Sequence, residues 1–178
     1  MGDPKKSRKK WERPGHPWIK DRLVEEMELV GKYGLRNKRE LWLAQTYLRN
    51  IRNKAKALLS LAPNERAIKE RDLVRKLYNL GVLQKEHGTI DDILGLTVED
   101  ILQRRLQTIV LRKGLARTIH EARQLVVHGH ISIGGRRVTS PGYLVNREEE
   151  QLVSFSPGSP IATRIKEKEL FEEVPGSE

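Results

Sequence analysis

Seven of the eight cations between residues 104 and 137 stand out as a phosphate-binding set: Arg104, Arg105, Lys113, Arg117, Arg123, Arg136 and Arg137. A guanidinium offers a phosphate two parallel donors. Thr118, Gln124, His128 and His130 lie among them and bring hydrogen-bonding groups of other kinds. Gln124 and His128 are four apart and share a helix face, whereas Arg123 is near neither Arg117 nor His128 by that rule. His128 has two readings, a contact to phosphate or sugar, or a cap on free carbonyls at a helix end. Ile109, Ala116, Ala122, Leu125 and Val126 are interspersed and would form the core that holds such a face rigid. The expected surface follows phosphates with some polar specificity.

A second group, Lys5, Lys6, Arg8, Lys9, Lys10 and Arg13, occupies the first 17 residues. Pro14 and Pro17 prevent a regular helix there. These cations therefore read as an arm with no scaffold of its own, ordered only against a partner. Flexible cations neutralise phosphate wherever it lies and carry no base information. Trp11 and Trp18 flank the stretch, and packing on the body is preferred over stacking on a base.

Other chemistries fit less well. No nucleophile, base and metal ligands come together in the sequence, so no enzyme, cofactor or small-molecule substrate is expected. His128 and His130, with His120 or His87, make a weak metal set, and there is no cysteine. The run from Gly129 to Gly134 misses a phosphate loop because Gly135-Arg136 follows where Lys and then Ser or Thr are required. Asp91, Asp92, Glu99 and Asp100 follow Thr89 and Thr97 as helix-start residues, so Asp91 and Asp92 are not read as a catalytic pair. Glu148-Glu149-Glu150 reads as a solvated loop.

Charge points the same way. Lys and Arg number 34 against 24 Asp and Glu, net +10. Residues 147–178 hold four basic and eight acidic side chains, so residues 1–146 carry +14. Such a field captures polyanions, and nucleic acid is the expected partner. A membrane is not expected, since no apolar run could span one and the charged start is unlike a signal peptide. A DNA regulator would show two helices and a short turn too, but would prefer duplex DNA over folded RNA.

The elements that must position these residues can be read in order. Ile19, Leu23, Met27 and Val30 define a helix over 19–30, and a stripe from Leu41 to Ala62 defines a longer one over 38–61. Pro63 ends it and Asn64 caps the next, which stops at Gly81. Thr89 and Thr97 open two further helices, the second running through Val110 to a stop near Gly114. Thr118 caps another, with Glu121 completing a capping box, and Gly129 ends it. Gly134-Gly135 joins Ile131–Ile133 to Arg136–Val138 in a tight hairpin. Further strands are expected at 143–145 and 151–155. The fold class is α+β, with helices first and then two helices packed on a small antiparallel sheet.

The run Glu121-Ala122-Arg123-Gln124-Leu125-Val126, with Gly114-Leu115-Ala116-Arg117-Thr118 before it and His128-Gly129-His130-Ile131 after it, resembles the S4 RNA-binding domain. The start Met1-Gly2-Asp3-Pro4-Lys5-Lys6, the run His16-Pro17-Trp18-Ile19 and the run from Leu94 to Asp100 resemble the archaeal branch of the small-subunit ribosomal S4 family. That resemblance implies binding of small-subunit ribosomal RNA early in subunit assembly. It also implies contacts with neighbouring small-subunit proteins, a place beside the path by which messenger RNA enters, and residence in cytoplasmic ribosomes. Relatives with an N-terminal cysteine zinc cluster have no counterpart here, so no metal role carries over. The implied division is a basic extended arm (1–17), a helical RNA-binding portion (18–103), an S4-type RNA-binding domain (104–157) and an acidic mobile tail (158–178). The alternatives are a free RNA chaperone and an accessory module of an RNA-modifying enzyme.

Overall fold

The computed structural model describes residues 9–16 and 18–161. They form two compact units. The first takes residues up to 78 together with 82–102, and the second takes 79–81 and the chain from 103 onward.

The first unit is helical. Helix α1 spans Lys20–Lys32, α2 Lys38–Leu59, α3 Pro63–Asn79, α4 Ile90–Gly95 and α5 Val98–Gln103, whose last residue falls in the second unit. The predicted stripe of α2 is buried through Leu41, Ala44, Leu48, Ile51, Ala55 and Leu58. Burial of that face, with cations left outside, holds the helix in place, and α2 packs against α1 and α4. Asn37 caps α2 by accepting from the Glu40 amide. Pro63 is the first residue of α3 rather than a break before an Asn64 cap; a missing N–H costs nothing in a first helical turn. Both threonine starts form as expected, with the Asp92 carboxylate accepting from the Thr89 amide and the Asp100 carboxylate from the Thr97 amide.

The second unit is α+β. Helix α6 (Leu106–Arg112) packs against α7 (Ile119–Val127). Strands β1 (Ile131–Ile133), β2 (Arg136–Arg137) and β3 (Val153–Phe155), with a short helix α8 (Arg147–Gln151) before β3, complete it. The sheet is antiparallel in the order β2-β1-β3. Gly134 and Gly135 both have positive φ, 55° and 81°, as a two-residue hairpin turn requires. Leu106, Ile109, Val110, Ala116, Ala122, Leu125, Val126, Ile131, Val145 and Val153 form its core.

Three further expectations change. The helix predicted from Thr97 through Val110 breaks at Arg104-Arg105, where Arg105 is extended (φ −71°, ψ 142°). The backbone there pairs across the chain instead: the Val145 amide donates to the Arg104 carbonyl and the Leu106 amide to the Tyr143 carbonyl. The strand expected at 143–145 is consequently one bridge, Arg105 to Leu144. Glu148–Glu150 belong to α8 rather than a loop, with the Glu149 carboxylate accepting from the Asn146 amide at the helix start.

Candidate nucleic-acid interface

Helix α7 carries the densest group of the predicted residues. Thr118 caps it, its hydroxyl accepting from the Glu121 amide at 3.2 Å. The Glu121 carboxylate returns to the Arg117 amide at 2.7 Å, one residue before the position a capping box would use. This fixes the chain entering the helix, where Arg117 and Thr118 are exposed. Ala122, Leu125 and Val126 are buried against the core. The opposite face, with Gln124 and His128, is exposed.

Arg123 lies half-buried at the flank of that face. Its Nη1 donates to the Gln107 side-chain oxygen at 3.3 Å, and the Gln107 amide nitrogen donates to the Ile119 carbonyl at 2.9 Å. Gln107 is 1% exposed, so a buried amide from α6 holds both the first turn of α7 and its arginine. Past the helix, Gly129 has φ 75°. A Cβ there would come within 2.7 Å of the Arg137 Cδ. The stem of Arg137 therefore crosses Gly129, bringing an exposed cation of β2 to the end of α7. Arg136 is exposed beside it. His130 is half-buried, and its Nδ1 lies 2.9 Å from the Ser159 hydroxyl.

Three predicted cations lie elsewhere. Arg104 and Arg105 are 6% and 7% exposed. The Arg104 guanidinium donates to the Val145 carbonyl at 2.7 Å and pairs with Glu150 at 2.6 Å. It also fills the space over Gly81, where a Cβ would meet it at 2.6 Å. Lys113 is exposed, but its Nζ donates to the Gln151 and Val153 carbonyls, both at 3.1 Å. The Arg104 and Lys113 side chains hold the loop around α8 to the unit's helices. Burial of a charge is tolerable only with such partners. The pairing spans some 40 positions of sequence, so composition gave no sign of it. His120, weighed above only as a metal ligand, is exposed four residues before Gln124, the same spacing that joins Gln124 to His128. Nothing in the sequence marked Gln107 as buried.

In the first unit, Lys9, Lys10 and Arg13 are exposed, while Trp11 is half-buried against Trp42 with ring centroids 5.5 Å apart. Packing is thus the right reading for Trp11. Trp18 is 87% exposed. Lys5, Lys6 and Arg8 lie outside the described residues.

Comparison with known proteins divides the chain at the same place as the break before Arg104. The family model for the ribosomal protein S4/S9 N-terminal domain matches residues 3–103. The S4 domain model matches residues 104–151. A relative from Sulfurisphaera tokodaii is 65% identical over 161 residues, 90% of this chain and 91% of the relative. One from Saccharolobus solfataricus is 60% identical over 164 residues, 92% and 91% of the two chains. One from Sulfolobus acidocaldarius is 61% identical over 161 residues, 90% and 92%. All three bear the name small ribosomal subunit protein uS4.

Proposed function

The chain belongs to the ribosomal protein S4 family, and from that premise we propose that it is a non-enzymatic structural component of the small ribosomal subunit that binds small-subunit ribosomal RNA. The observation that carries the reading at the level of residues is the face of α7, with Arg117, Thr118, Gln124 and His128 exposed on it and Arg137 laid across Gly129 at its end. Rigid polar donors among cations suit an RNA whose fold presents phosphates and sugars in a fixed shape. The set assigned to that contact is Arg117, Thr118, Arg123, Gln124, His128, Arg136 and Arg137. Arg104, Arg105 and Lys113 are assigned to shaping the unit rather than touching RNA.

The family reading brings finer proposals with it. The helical portion shares the RNA contact with the S4-type domain. The protein joins the subunit early in assembly, touches neighbouring small-subunit proteins and lies where messenger RNA enters. Its place is the cytoplasmic ribosome. No observation favours a free chaperone or an enzyme accessory module over this reading.

Titration of the full chain with small-subunit ribosomal RNA, across a series of salt concentrations, tests the proposal. Log affinity is expected to fall with log salt at about 0.7 to 0.9 per phosphate contact, and folded ribosomal RNA is expected to outcompete duplex DNA of equal charge. Salt-independent affinity, or a preference for the duplex, would sink it.

A further inference from the structure

The arm that reads as an unsupported string of cations has a scaffold where it is described. Three cations from two segments converge on the Trp11 indole: Lys9 Nζ lies 4.2 Å from the ring centroid, Arg13 Cζ 5.7 Å and Arg39 Cζ 5.7 Å. The ring itself is anchored. It packs on Trp42, tilted by 34°, and the Trp42 indole N–H donates at 3.2 Å to Glu26, a carboxylate buried in α1. The next residue is held as well. The Glu12 amide donates to the Thr46 hydroxyl at 3.1 Å, and the Glu12 carboxylate pairs with Arg49 on α2. That hydroxyl in turn donates to the Trp42 carbonyl.

Glu12 is thereby engaged by Arg49, and among the described residues no carboxylate forms an ion pair with Lys9, Arg13 or Arg39. Like charges gathered around one ring repel, and the attraction of each cation to an exposed aromatic face is weak. An anion bound at these cations relieves that repulsion. With cations around its ring, Trp11 is poorly placed to stack on a base. The anion that fits is therefore the backbone of a nucleic acid rather than its bases.

We propose that Lys9, Arg13 and Arg39, gathered around Trp11, form a fixed binding site for the phosphodiester groups of folded RNA, additional to the face of α7. It rests on the reading that the chain binds ribosomal RNA. A fixed triad differs from a flexible tether in what it selects. It favours a strand whose fold brings phosphates close together, so this part of the arm contributes to discrimination as well as to affinity.

Trp11→Leu separates the two descriptions because it leaves the net charge unchanged. In the full chain, its affinity for folded small-subunit ribosomal RNA is expected to fall about tenfold, with affinity for a scrambled RNA of equal length changing less than twofold. The salt slope for the folded RNA should become shallower by about one to two contacts, each worth about 0.7 to 0.9. Arg39→Gln, on α2 and outside the Trp11–Trp42 packing, should lower the slope by about one contact with an unchanged melting temperature; it carries the test if Trp11→Leu fails to fold. Unchanged affinity and slope in both variants would overturn the site, as would equal weakening toward both RNAs. Failure of the unaltered protein to prefer ribosomal RNA would instead overturn the functional reading beneath it.

Discussion

Arg123, proposed above as an RNA contact, is held by a buried neighbour, Gln107. The Gln107 amide uses its nitrogen on the Ile119 carbonyl and its oxygen on Arg123. Gln107→Met keeps the volume but leaves the half-buried Ile119 carbonyl without that donor, a cost of about 1 kcal/mol. If Arg123 contacts RNA, Arg123→Ala should weaken binding about tenfold with little change in melting temperature. Gln107→Met should weaken binding too, and the double variant should bind no worse than Arg123→Ala alone. Additive losses in a double-mutant cycle would show that the two act independently. A large stability loss from Arg123→Ala alone would assign that side chain to the fold, through packing of its stem.

Two carboxylates in the helical unit make a separate prediction about acid. The Lys32 ammonium and the Tyr33 hydroxyl, both bonded to Glu99, hold its carboxyl below the usual glutamate value of 4.5. The Thr89 backbone amide and hydroxyl do the same for Asp92 below 3.8. A depressed folded-state value means stability that is complete above the unfolded value and is lost as pH falls through the folded one. Thermal melts should therefore drop below pH ~4.5, and Glu99→Gln should flatten the upper part of that drop. An unchanged profile in Glu99→Gln would remove the Lys32–Glu99–Tyr33 contact from the account.

At the scale of elements, local chemistry made the second unit readable. The Thr118 cap, the Gly129 stop and the Gly134-Gly135 hairpin are each set by a few adjacent residues, and each forms as the sequence implies. The break at Arg104-Arg105 was not readable, because helix periodicity continues through it and the cause is pairing with Tyr143–Val145. The same distance hid Arg104 and Lys113, whose partners lie on the loop and helix around α8. Near Trp11 the chain is held without a helix, because the indole packs on Trp42 of α2 as the preference for packing implies. Gly129 offers a test at this scale. Gly129→Ala puts a side chain at positive φ and into the Arg137 stem, a cost of about 1–2 kcal/mol from the backbone alone. Displacing Arg137 should also weaken RNA binding. Arg137→Ala introduced with Gly129→Ala should recover part of the lost melting temperature while leaving binding weak; no recovery would mean that Arg137 does not lie over the glycine.

Across the whole molecule, the surplus positive charge lies in residues 1–146 and the surplus negative charge after it. An acidic end is repelled by a phosphate backbone, so its removal should not harm RNA binding. Where it can be removed is set by packing. Ser156 returns its amide to the His130 carbonyl at 2.8 Å, Ser159 is buried with its hydroxyl 2.9 Å from the His130 ring, and Ile161 packs on the core of the second unit. Residues 158–161 therefore serve the fold, although their composition matches the tail. Truncation after Ile161 discards three basic and five acidic residues and should leave the melting temperature unchanged, with RNA affinity equal or slightly higher. Truncation after Pro157 also discards Ser159 and Ile161. It should cost about 1–3 kcal/mol through the lost hydrogen bond and apolar contact, a fall of several degrees for a chain of this size. Calorimetry of the two truncations, paired with the same RNA titration, separates stability from binding. A drop in affinity on removing residues 162–178, without a drop in melting temperature, would mean that the acidic end organises the RNA surface rather than merely following it.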